Sequence, residues 1–241
     1  MKRARAIAAR ELASYFRTPA GWVIVSLYLF LGGLFFMLWT LVPGKPASMR
    51  DLFMLSGWLL LPVAPAITMR LIADEIRAGT MEGLLTSPVG AAAIVAGKFM
   101  GACAFLAIMS LPTLVYVGVL FAHASPMPDL GPIFAGYLCL ALLAGLYLSI
   151  GVAASCMTSN ATLAFMLTFF AILGLLLAPG LMGSRLLPAW GTGVIEAIAP
   201  MPRIGDFARG VIALSNVVYF LSITGVFLLA AVSIVEWRRW R

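Results

Sequence analysis

Arg70, Asp74, Glu75, Arg77 and Glu82 crowd into one stretch, RLIADEIRAGTMEGLLTSPVG at residues 70–90. The residues on either side, 52–69 and 91–97, carry no charge. Charges grouped in this way can serve acid–base chemistry or the recognition of a partner surface. Asp74 and Arg77 are three residues apart and can pair on one helical face. Gly79 permits a sharp turn, and Thr80 can cap a helix starting at Met81, with Glu82 near its positive end. Leu84 and Leu85 give that helix an apolar side, and Pro88 stops it. The product is a short stiff peg suited to seat in a groove on a moving partner. Spacing alone equally allows an ordinary amphipathic helix lying on a membrane surface.

Catalysis would need further polar groups to converge, and the chain offers few. Cys103, Cys139 and Cys156 fall in apolar runs without metal-like spacing, and they read as small packing residues. His123, a lone histidine at a helix end, is not a metal site. No H-E-x-x-H, G-x-S-x-G, paired intramembrane aspartates or G-x-x-x-x-G-K-[ST] motif occurs. Pro62 and Pro65 can break a helix, but no acid stands beside them as an ion-driven carrier would require. If the chain moves something, the energy comes from a partner.

The elements that must position the charged stretch follow from composition. The chain is 63% hydrophobic and 10% charged, with a mean hydropathy of +1.06. A soluble domain is about 45–50% apolar and about 25% charged, so the bilayer is the solvent here. Uncharged runs at 18–44, 52–69, 99–122, 130–184 and 210–235 mark the crossings. The run 130–184 is too long for one helix, and TSN at 158–160 splits it into 132–157 and 161–181. Six spans result, in one transmembrane domain over 1–241, with both termini on one side. Residues 83–97, interrupted by Pro88, are too short to cross and belong to a charged loop over 70–98. Long apolar runs without alternation exclude a β-barrel.

Charge then orients the bundle. With both termini cytoplasmic, eleven of the 16 Lys and Arg lie inside and five outside. The net charge of +7 is therefore a topology signal rather than a nucleic-acid footprint. The basic N-terminus is read as retained, because its apolar stretch is too long for a signal peptide. Residues 1–17 form an interfacial helix, with Ala8, Leu12, Tyr15 and Phe16 on one side and Arg3, Arg10, Ser14 and Arg17 on the other. RTPAG then bends the chain into the first span. At the other terminus, Trp237, Arg238, Arg239 and Trp240 make an interfacial anchor. Residues 182–209 are apolar but broken by Pro and Gly. They suit short helices dipping into the outer leaflet or an outer loop packed on the bundle; Trp190 and Glu196 lie within them.

ADEIRAGTMEGLLTSPVGAAAIVAGKFMGA resembles the cytoplasmic signature of ABC-transporter permeases of the exporter superfamily, and is most similar to the gliding-motility-type subunit. The pattern falls on Asp74, Glu75, Gly79, Thr80, Glu82, Leu84, Leu85, Thr86, Pro88, Gly97 and Lys98. FRTPAGWVIVSLYLFLGGLFF, PAITMRLIADE and FARGVIALSNVVYFLSIT extend the likeness over nearly the whole chain. Ile76 and Gly83 depart from it, standing where relatives often carry a basic and a larger apolar residue. The resemblance implies an all-α, six-span permease of type-V exporter design. Its peg would be the coupling helix, residues 3–17 the connecting helix, and the segment before the last span a re-entrant pair.

It further implies two copies of a cytoplasmic ABC ATPase, which bind ATP and Mg while this chain binds no cofactor. A second permease subunit would complete a homo- or heterodimer in a bacterial inner membrane, in contact with lipid and with room for a periplasmic or membrane accessory protein. The chain would be no enzyme itself, and would couple ATP hydrolysis to export or mechanical work. The competing class is a partner-free channel, scaffold or intramembrane enzyme. That class would need polar clusters within the spans and would leave residues 70–90 without a purpose.

Overall fold

The structure, a computed structural model, describes residues 2–40, 48–80, 90–123, 128–181, 193 and 197–239. Ten α-helices occur among them: α1 Lys2–Arg17, α2 Pro19–Phe35, α3 Arg50–Thr68, α4 Ala73–Arg77, α5 Ala91–Ser110, α6 Leu114–His123, α7 Leu130–Met157, α8 Ala161–Leu177, α9 Met201–Ala208 and α10 Leu214–Arg239. No strand is present among the described residues. Six helical stretches are long and apolar enough to cross a membrane: Pro19–Thr40, Arg50–Arg77, Ala91–Ala122, Leu130–Met157, Ala161–Gly180 and Leu214–Arg238. This is the architecture of a multi-pass membrane protein.

Local chemistry sets the breaks between them. Pro19 opens α2 one residue after α1 ends, since its missing N–H costs nothing at the first helical turn. The turn is tight enough that a Cβ on Gly21 would lie 2.0 Å from the Tyr15 carbonyl oxygen. Asp129 caps α7 by accepting from the Gly131 amide at 3.0 Å. Asn160 caps α8 through the Thr162 amide at 2.9 Å, which is how the TSN break divides the long apolar run.

The second and fourth spans form the core. In the fourth, 67% of the most apolar window is buried, against 11% in the sixth, whose apolar side chains face outward as lipid requires. α7 packs against α3, α8, α9 and α10. Gly151 brings α7 onto α3 so closely that a Cβ there would sit 2.0 Å from Thr68 Oγ1. The small-residue run GLYLSIGVAAS thus supports close packing within this chain.

Helix α1 and the last described turn of α10 lie at one end of the bundle, here termed the near end, where Arg10 approaches Glu75 and Arg238 donates to the Met157 carbonyl. At the far end, α9 buries Ile204 and Phe207 against α3 and α7 without crossing. Gly210, at φ +86°, turns the chain into α10. Polar contacts fix this corner: Asn216 Nδ2 donates to Asp206 Oδ2 at 3.0 Å, and the Arg203 guanidinium lies 3.7 Å from the Tyr219 ring centre.

Candidate functional site

The second span does not end cleanly at the near end. α3 stops at Thr68, residues 69–72 unwind, and α4 restarts at Ala73. Such a break orphans backbone groups that must find partners where water is scarce. Three other helices supply them. Tyr15 of α1 donates its hydroxyl to the Ile67 carbonyl at 2.8 Å. Ser155 of α7 accepts the amides of Ile72 at 3.1 Å and Ala73 at 3.0 Å, and donates to the Met69 carbonyl at 3.3 Å. Lys98 of α5 donates to the Leu71 carbonyl at 2.5 Å. Burial, and secondarily the neighbouring Glu11 charge, raise the Tyr15 phenol pKa well above its usual value, so it stays protonated as a donor.

Lys98 does more than hold that carbonyl. Its Nζ lies 3.0 Å from Glu11 Oε1 on α1 and 2.9 Å from Glu75 Oε1 on α4. An ammonium has three N–H donors, and here all three are engaged. The residue is only 1% exposed. Burying an ammonium costs several kcal/mol, which only close carboxylates and full hydrogen bonding can offset. Arg10 approaches Glu11 and Glu75 at 3.4 and 3.5 Å, balancing two acids with two bases. Its side chain is 62% exposed, so it adds little energy.

Two glycines make this burial possible. A Cβ on Gly97 would stand 2.8 Å from Ile7 Cβ and 2.9 Å from the Ala4 carbonyl oxygen. One on Gly101 would meet Glu11 Cβ at 2.8 Å. The four-residue spacing opens one face of α5, α1 lies across it, and Lys98 beside Gly97 is covered. Leu12, Tyr15 and Phe16 pack on the main core, with Tyr15 stacked on Phe105 at 4.5 Å between ring centres.

The site residues expected from sequence distribute unevenly around this node. Glu75 is in it and Arg10 is at its edge. Asp74 and Arg77 are exposed and form no ion pair with each other; Asp74 instead borders a recess of about 230 Å³ with Glu11, Ser14 and Arg70. Gly79 takes φ +69° and closes α4, and the Thr80 hydroxyl donates back to the Glu75 carbonyl at 3.4 Å. Glu82, Leu84, Leu85 and Pro88 lie outside the described residues, as do Trp190, Glu196 and Trp240. Arg17 and Trp237 are exposed, and Arg238 donates to the Met157 carbonyl at 3.3 Å, at the end of α7. The side chain of Arg239 is likewise outside the described set.

Sequence reasoning missed Glu11 and Ser155, and placed Lys98 in the topology count and in the family signature without assigning it a contact. The usable signal was Gly97-Lys98 followed by Gly101, small residues flanking a base.

A second feature lies farther along the third span. α5 gives way to a 3-10 turn at Leu111–Thr113, where Pro112 lacks an amide, before α6 continues. Thr113 Oγ1 donates to the Ser110 carbonyl at 2.6 Å and lies 3.0 Å from the Tyr137 hydroxyl. Beside this bend a cavity of about 450 Å³ opens between the third and fourth spans. Leu106, Leu111, Leu114, Leu140 and Ala144 are among its lining, so it suits an apolar occupant.

A family model described as ABC-2 family transporter protein matches residues 5–230. No curated protein matches the chain.

Proposed function

Because the chain belongs to the ABC-2 transporter family, we propose that it is the transmembrane permease subunit of an ATP-driven transporter in a bacterial inner membrane. A separate cytoplasmic ABC ATPase, in two copies, binds ATP and Mg and performs the hydrolysis. The observation that carries this reading is the family match over residues 5–230, which includes the charged segment 70–90. In this reading the peg that starts at Met81 and is stopped by Pro88 is the coupling helix, α1 is the connecting helix, and the near end faces the cytoplasm. Two such subunits, identical or different, form the membrane unit.

Two features of the chain support the assignment. The ion-paired node joins the segment leading into the charged loop to two other helices, so a push on that loop would not be lost in a floppy linker. Second, the spans hold few ionisable groups, while the cavity between the third and fourth spans is apolar. An apolar or amphiphilic cargo, moved outward, or mechanical work on an envelope protein, fits this better than an ion. The quoted motifs resemble the gliding-motility type, and that resemblance does not assign motility.

Co-purification tests the assignment. The chain is expressed with an ABC ATPase subunit and reconstituted in nanodiscs as wild type, as Glu82→Arg, and with residues 78–90 replaced by a Gly/Ser linker. The expected result is ATPase bound to wild type and lost, or hydrolysing without response to the permease, in both variants. A folded wild-type chain that binds no ATPase would overturn it.

A further inference from the structure

We propose that Lys98 is a positioning residue that clamps four elements into one mechanical unit: α1, the unwound junction, α4 and the near half of the third span. The clamp deepens the proposed function and, for its role in transmission, rests on it. The chain connection from α4 to α5 runs through residues 78–90. A force on that segment could reach α5 by the backbone alone. The node supplies a second route that bypasses it.

The geometry argues for a clamp rather than a surface ion pair. One Nζ touches a carboxylate of α1, a carboxylate of α4 and the carbonyl of Leu71 in the junction, at 3.0, 2.9 and 2.5 Å. Each acceptor belongs to a different structural element. The cation itself stands on a fourth, α5, which is locked against α1 through Gly97 and Gly101. Moving α4 away from α1 or α5 would strip the buried ammonium of an acceptor and leave a donor unpaired. Neither Tyr15 nor Ser155 can substitute, because each is neutral and each grips only backbone, Tyr15 at Ile67 of α3 and Ser155 at Met69, Ile72 and Ala73.

Spin-label distances test the proposal. With native cysteines replaced by alanine, labels on exposed Ala6 and Ala78 report α1 against the end of α4. A second pair on Met100 and Leu229 reports the third span against the sixth. Wild type is compared with Glu75→Ala, which leaves Lys98 paired with Glu11 and so keeps the buried charge compensated. A second variant, Lys98→Met/Glu11→Gln/Glu75→Gln, removes every charge of the three and guards against a simple folding failure.

The first arm needs no ATPase. The clamp predicts one narrow Ala6–Ala78 distance in wild type and a distribution roughly doubled in width in both variants. Equal widths would overturn the clamp whatever the partner. The second arm adds the ATPase with ATP and vanadate. Wild type should keep the Ala6–Ala78 distance and shift the Met100–Leu229 distance; Glu75→Ala should lose at least about half of that shift with ATPase still bound. An undiminished shift in Glu75→Ala would overturn transmission through Lys98. Absence of ATPase binding in wild type would overturn the proposed function and the transmission claim together, while the first arm still decides the clamp.

Discussion

The two halves of the third span are built on opposite principles. From Ala91 to Gly101 the helix is gripped: two glycines admit α1, and Lys98 is buried with all three donors used. Beyond Ser110 the same span bends at Pro112, and Leu111, Leu114 and Val115 are exposed beside an apolar cavity. A Cβ added at Gly118 of this half would meet nothing within 4 Å. Added at Gly97 or Gly101, it would lie only 2.9 or 3.1 Å from a carbonyl oxygen of α1. One continuous apolar run thus carries a tightly packed end and a bent, more exposed end. A transmission element benefits from both, since a bend can redirect a displacement only if the segment feeding it does not yield.

The largest expected break in this contrast is Lys98→Met. It leaves Glu11 and Glu75 facing each other with only exposed Arg10 nearby, and unfolding in mixed micelles should show a loss of about 3–5 kcal/mol. Next comes a matched glycine pair. Gly101→Val forces α1 off the near half and should cost about 1–3 kcal/mol. Gly118→Ala in the far half meets open space and should be neutral or gain up to about 1 kcal/mol from helix propensity. Equal effects of the two would erase the proposed difference.

Smaller still is Ala141→Leu, which projects volume into the cavity. Its stability should change by less than about 1.5 kcal/mol, because vacant space receives the side chain. If the cavity holds cargo, transport or cargo-stimulated ATPase activity should fall while ATPase binding stays. The smallest effect is expected of Arg10→Ala, at most about 0.5 kcal/mol, since that guanidinium is exposed and its contacts are long. A large loss there would mean that the node depends on Arg10 to balance its charge.

The crossings were legible because hydrocarbon imposes length and charge rules on any sequence, and the polar TSN at 158–160 marked where the long run divides. The node was not legible, for reasons of range. Glu11 and Lys98 are 87 residues apart, and nothing in local spacing joins them. Lys98 borders an uncharged run, which is where a topology-setting base also stands, so the bland reading absorbed it. The helix in fact starts at Ala91, within an Ala-rich stretch, and carries Lys98 two turns inward. Asp74 and Arg77 illustrate the converse. Their spacing allows a local pair, yet both stay in solvent while Glu75, with no local partner, is drawn to a distant buried cation.

The central claim is that the near half of the third span moves as a block and the far half yields. Distances across the two halves in one nucleotide cycle test it most directly, with labels on Ala9 and Met100 for the near half and on Val115 and Phe134 for the far half. Reconstituted with its ATPase, the permease should keep the Ala9–Met100 distance unchanged between the nucleotide-free and ATP–vanadate states, while the Val115–Phe134 distance shifts. A near-half distance that changes while the far half stays fixed would contradict the account.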